Sequence, residues 1–209
     1  MAVADGVPFE HLCRCDPVLG ALVETHGPLD ESERRRGRPE DAYGALVRSI
    51  VGQQLSVKAA RTIYERLCAL YGGRTPAPAE LIATGTEELR GVGLSRAKAA
   101  YLRDLAERVE RGDVDLGALP AMPDDEVSAT LTAVKGLGQW TVDMFLMFHL
   151  RRPDVLPVGD LGIRRAVEGA YGLDGLPDAG ALSRIAEPWR PHRTLACLYL
   201  WASLDNEPA

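Results

Sequence analysis

The residues of this chain best suited to chemistry are one carboxylate and a glycine hairpin close to it in sequence. The stretch Leu131 to Tyr171 contains Gly136-Leu137-Gly138, a helix starting just after Gly138, and Val158-Gly159-Asp160 at the mouth of a further helix. Gly136 and Gly138 are expected to make a turn too tight for a residue with a Cβ. The N–H groups opening the next helix then point out of the hairpin and can hold a phosphate without any lysine. Asp160 has two compatible readings. It is a favoured N-cap, and it is a carboxylate whose charge a helix start stabilises, as facing a developing cation requires. A phosphate grip next to a lone acid points to chemistry on a nucleic acid, although Gly-x-Gly at a helix–helix turn equally permits plain close packing. Trp140, in the first turn after the hairpin, and Trp201 are either core or flat rings for stacking on a base. Phe145, Leu146 and Phe148 read most simply as core.

No other catalytic arrangement competes. His11, His26, His149 and His192 lack metal-ligand spacing, and neither a Gly-x-Ser-x-Gly turn nor a Walker loop is present. Cys13, Cys15, Cys68 and Cys197 show neither metal spacing nor the density of a disulfide framework. With no group of four closely spaced cysteines near the C-terminus, no iron–sulfur cluster is expected. The thiols suit a reducing cytoplasm. The start MAVADGVPFE lacks the basic and apolar regions of a signal peptide, and no run of ~18 apolar residues is available to span a membrane.

A chain of 209 residues with 46% hydrophobic content can bury a full core, as one domain or two joined lobes. Its net charge of -6 argues against a general nucleic-acid binder. The excess is local, however. Residues 1 to 33 carry seven acids against the single base Arg14, and the remaining acids and bases balance at 23 each. Arginine outnumbers lysine 21 to 3, which reflects either phosphate recognition or genome composition.

The elements that must position these groups are helical throughout, with no convincing alternating strand. Asp16-Pro17 starts a helix ending near His26-Gly27. Arg34-Arg35-Arg36-Gly37-Arg38 reads as a solvated link or a phosphate-contacting arm. Asp41 to Gln53 is a helix with Tyr43, Leu46, Val47 and Ile50 at core spacing. Gly52-Gln53-Gln54-Leu55-Ser56 interrupts it, and Ser56 caps a helix towards Tyr71. Gln53 and Gln54 are either polar loop residues or side chains reaching DNA. Ser95 caps a long helix through Arg111, Asp124 to Val134 leads into the hairpin, and helices run over Leu161 to Tyr171, Pro177 to Ala186 and Pro191 to Leu204. About a dozen helices with short connections make an all-α protein.

Three segments carry a family resemblance. Val134-Lys135-Gly136-Leu137-Gly138-Gln139-Trp140-Thr141 with Leu156-Pro157-Val158-Gly159-Asp160-Leu161 closely resembles the helix-hairpin-helix DNA glycosylases, in particular their DNA-3-methyladenine glycosylase II (alkylbase) branch. Gly52-Gln53-Gln54-Leu55-Ser56-Val57-Lys58-Ala59-Ala60 matches the same branch, as does Pro188-Trp189-Arg190 to Trp201. The likeness covers about residues 35 to 209. Longer members carry an additional N-terminal β-containing domain, for which this chain is too short.

The resemblance implies two α-helical lobes around a DNA-binding cleft. Residues 38–152 would carry the hairpin, and residues 1–37 plus 153–209 would carry Asp160 at the junction. Asp160 is the implied catalytic residue, and Trp140, Trp201, Met144 and Leu161 line the base pocket. Gly136, Leu137, Gly138, Gln139 and Thr141, with Gln53, Gln54, Leu55 and Ser56, contact DNA, with Gln54 as the wedge. Main-chain carbonyls of Thr132, Val134 and Leu137 are implied to hold a monovalent cation, Na+ or K+, and no cofactor is required. Met144 and Leu161 replace tyrosines of some relatives, and Gln54 stands where some have leucine. These departures bear on lesion range and flipping.

The implied activity is hydrolysis of the N-glycosidic bond of a flipped, alkylated purine of the 3-methyladenine or 7-methylguanine type, leaving an abasic site. The leaving base is already cationic, which explains one acid where most glycosidases have two. Members that also cut the strand place a Schiff-base lysine two positions after the second hairpin glycine, and here that position is Trp140. A monofunctional enzyme is therefore expected, monomeric, cytoplasmic and nucleoid-associated, acting on double-stranded DNA and on no membrane. The alternatives are a glycosylase for deaminated or mismatched bases and a non-catalytic helix-hairpin-helix DNA-binding module.

Overall fold

The computed structural model describes residues 7–29 and 39–205. The basic run Arg34 to Arg38 lies outside the described residues, so neither reading of it is addressed. Among the described residues there are twelve α-helices and no strand: α1 (Val7–Cys15), α2 (Pro17–His26), α3 (Ala42–Gly52), α4 (Val57–Ala69), α5 (Pro78–Ala83), α6 (Thr86–Gly91), α7 (Arg96–Arg111), α8 (Asp124–Thr132), α9 (Gln139–Phe148), α10 (Leu161–Tyr171), α11 (Ala179–Ile185) and α12 (Arg193–Asp205). None is long and apolar enough to cross a membrane.

The helix starts follow from side-chain caps that satisfy otherwise unpaired N–H groups. Asp16 accepts from the amides of Val18 and Leu19, Ser56 from Ala59, Ser95 from Lys98, and Asp160 from Ile163. Left-handed glycines, Gly112 after α7 and Gly172 after α10, close two of the helices.

The chain divides into two compact units. One runs from Gly37 to Phe145, and the other combines the N-terminal segment with Leu146 onward. The second division therefore falls within α9, seven residues before the boundary at 152 expected from the sequence. In the 37–145 unit, Leu46, Val47 and Ile50 of α3, Leu67 of α4, Leu81 of α5 and Leu102 and Leu105 of α7 are completely buried. In the other, Leu12, Leu19, Ile163, Trp189 and Tyr199 form the core. Asp16 secures the N-terminal helices there: beyond capping α2, its Oδ2 accepts from the Tyr171 hydroxyl at 2.5 Å and from Trp189 Nε1 at 2.8 Å. Helix α1 is an addition to the sequence reading, which began its helices at Asp16.

Candidate active site

The hairpin between α8 and α9 is built on one face of α7. Lys98, Tyr101 and Asp104 lie three residues apart and so share that face. The Asp104 carboxylate accepts from the Lys135 amide at 3.0 Å and pairs with Arg108 at 2.9 Å. The Tyr101 ring lies directly under Gly136, where a Cβ would stand 2.2 Å from Cδ2. Gly136 also has φ +83, so glycine is required there twice over. Gly138 corrects the expectation made for it. Its φ is not positive, and a Cβ would meet nothing within 4 Å. Internal packing therefore does not call for this glycine.

The same face of α7 holds the loop after α3. Lys98 Nζ donates to the carbonyls of Val51 at 2.8 Å and Gln53 at 2.7 Å, and its partial burial pulls the ammonium pKa below its ordinary value. Gln53 Nε2 donates to the Gly136 carbonyl at 2.6 Å. Gln53 thus ties its loop to the hairpin, as the polar-loop reading of this residue has it. Gln54 does project: it is exposed, with the left-handed φ of 56, a strained conformation for a residue bearing a Cβ. Leu55, exposed by 38%, and Ser56 follow it.

Among the described residues, the main-chain N–H groups of Gly138 and Gln139 donate to no protein acceptor, as an anion grip at a helix start requires. The side chain of Gln139, an exposed residue, donates to Asp143 at 2.8 Å. Burial pushes the Asp143 carboxyl above its ordinary pKa, partly offset by that bond. Leu137 and Thr141 are buried, and the Thr141 amide is bonded to the Gly138 carbonyl at 2.9 Å. Both side chains therefore pack into the core of the hairpin. Trp140 stays 49% exposed on α9, with the partly buried Met144 one turn further on the same face.

Asp160 belongs to the other unit. It caps α10, and its Oδ1 accepts from the Ile163 amide at 2.7 Å and from Trp201 Nε1 at 3.1 Å. The residue is 8% exposed, so the carboxylate sits at the edge of the packed interior with two directed donors on one oxygen. Leu161 beside it is half exposed. The half-buried Trp201 ring stacks on Phe148, with centroids 6.1 Å apart and planes inclined by 27°. Sequence reasoning missed Gly162, Tyr101, Asp104 and Asp143. Only Gly162 left a sequence signal, as a glycine inside the first turn of a helix where alanine would be preferred.

A family model, the HhH-GPD superfamily base excision DNA repair protein, matches residues 47–191. The putative DNA-3-methyladenine glycosylase YfjP of Bacillus subtilis is 31% identical over 78% of this chain, which spans 59% of that protein's length. Two solved structures are similar throughout. A DNA-3-methyladenine glycosidase from Bacillus halodurans has a TM-score of 0.84 at 36% identity, covering 99% of this chain and 92% of the other. The Schizosaccharomyces pombe 3-methyladenine DNA glycosylase Mag1, solved with abasic DNA, has a TM-score of 0.82 at 30% identity, covering 95% and 96%. With a family match across most of its length and two such neighbours, this chain belongs to the HhH-GPD superfamily of base excision DNA repair proteins.

Proposed function

We propose that the chain is a monofunctional DNA glycosylase that releases alkylated purines, of the 3-methyladenine and 7-methylguanine type, from double-stranded DNA. The observation that carries this reading is the Asp160 carboxylate, held by a helix-start amide and an indole N–H at the limit of solvent access. The names of the similar proteins support the substrate class.

The damaged nucleotide is flipped out of the duplex, with Gln54 and Leu55 entering the stack. The strand beside it is held at the start of α9 by the Gly138 and Gln139 amides. Trp140 stacks on the cationic base, a face-on attraction of about 0.5–2 kcal/mol. The C1′–N bond breaks with its electron pair passing to the base, which leaves neutral and needs no added proton. Asp160 stabilises the oxocarbenium-like sugar, then accepts a proton as water adds to C1′, giving the abasic site. No step requires an amine, and position 140, where strand-cutting relatives place their lysine, is tryptophan.

A monovalent cation fits the hairpin. Among the described residues the carbonyls of Thr132 and Leu137 accept no main-chain hydrogen bond, and that of Val134 accepts one, from the Leu137 amide at 3.1 Å. These three carbonyls would hold it, and when bound it would supply positive charge towards a phosphate. The reading further takes the chain to act as a monomer at the nucleoid in the cytoplasm. The test is release of free base from duplexes bearing 3-methyladenine, 7-methylguanine, uracil or hypoxanthine. Release of the methylated purines with no borohydride-trapped adduct is expected. Release of only the deaminated bases, or a robust adduct, contradicts the proposal.

A further inference from the structure

Asp160 Oδ1 receives two donors from two helices, the Ile163 amide of α10 and Trp201 Nε1 of α12. One donor leaves a carboxylate free to pivot about it, whereas two in different directions fix the plane of the group. Trp201 meanwhile already has Phe148 stacked on its ring.

The approach of the indole depends on Gly162. An ideal Cβ at that position would lie 3.0 Å from Asp160 Oδ1, 3.1 Å from Trp201 Nε1 and 3.2 Å from Trp201 Cδ1. Each contact is tighter than a methyl group ordinarily makes, so the indole or the carboxylate would have to give way by a few tenths of an ångström. Glycine inside a helix costs stability, and here it clears the space between the acid and its second donor.

We infer that Trp201 is a positioning residue for Asp160, acting through its indole N–H rather than its ring face, and that Gly162 is the clearance that lets it reach. The inference rests on the glycosylase reading above, and it makes a different demand from base stacking. Trp201→Phe keeps an aromatic ring for Phe148 and for a base, and loses only the donor and the second ring. Gly162→Ala keeps the whole indole, favours the helix, and disturbs only the approach.

The experiment is single-turnover release of 3-methyladenine from duplex DNA by the full chain, with affinity for abasic DNA and thermal melting measured alongside. Trp201→Phe and Gly162→Ala should each slow release by about 10- to 100-fold, the scale of a misplaced catalytic group. Affinity should stay within about twofold, and both variants should remain folded at the assay temperature in the melting curves. In an Asp160→Asn background, Trp201→Phe should slow the residual release no further, because the carboxylate it orients is gone. Wild-type release rates in both single variants would overturn the inference, as would an equal slowing by Trp201→Phe with and without the Asp160 carboxylate. Should wild-type protein release no base at all, the glycosylase reading falls and takes this inference with it.

Discussion

The two hairpin glycines should fail in opposite ways when given a methyl group. Gly136→Ala places its Cβ 2.2 to 2.7 Å from three ring atoms of Tyr101 while holding alanine at φ +83. The left-handed backbone costs about 1–2 kcal/mol, and displacing a packed ring costs about 1–3 kcal/mol. Together these give about 2–5 kcal/mol, which for a chain of this size lowers Tm on the order of 10 °C. Gly138→Ala meets nothing within 4 Å at an ordinary φ and should change stability by no more than about 0.5 kcal/mol. It should instead weaken DNA binding about tenfold, since a methyl group at the start of α9 obstructs the approach of a phosphate to the Gly138 and Gln139 amides and a charge-assisted bond is worth roughly 1.5–3 kcal/mol. Chemical denaturation and a DNA-binding titration on both variants decide it. If Gly138→Ala unfolds as readily as Gly136→Ala, or binds DNA as tightly as wild type, the assignment of one glycine to the fold and the other to the ligand is refuted.

Two further variants probe neighbouring groups. Gln54→Ala should weaken binding to lesion-bearing duplex more than to intact duplex, measured by competition, whereas equal weakening removes Gln54 as the wedge. For Asp143, burial raises the folded-state pKa, so the folded protein holds that proton more tightly and stability falls as pH rises from the ordinary aspartate range of about 3.9 through the raised value. Asp143→Asn keeps an acceptor for Gln139 and removes this dependence. It should therefore be more stable than wild type near neutral pH, with the gain shrinking towards about pH 4 in denaturation curves; a pH-independent difference contradicts the assignment.

What was legible in the sequence were features with local causes. Ser56, Ser95 and Asp160 announce helix starts because a capping side chain needs only the amides two or three residues on. The apolar spacing of Leu46, Val47 and Ile50 gives their burial. What was not legible depends on partners distant in sequence. Gln53 and Gln54 are adjacent and chemically identical, yet one turns in to the Gly136 carbonyl, 83 positions away, and the other stands out on a left-handed backbone. No local pattern distinguishes them. Lys98, Tyr101 and Asp104 look like an ordinary helix face until the hairpin and the loop after α3 are laid upon it. Trp201 read as either core or a stacking ring, and sequence cannot show that its N–H meets a carboxylate 41 positions earlier. Helix α1 was missed because it ends only one residue before Asp16, the cap from which the first helix was read.

In the proposed mechanism the charge of Asp160 is needed for bond cleavage and not for holding DNA. Single-turnover release of 3-methyladenine by Asp160→Asn, beside wild type and with duplex affinity measured on the same preparations, separates those roles. Release slowed by about a thousandfold or more, on the scale of losing a transition-state charge partner, with affinity within about threefold, is the predicted result. Release at close to the wild-type rate would remove Asp160 from the chemistry and leave only a helix cap.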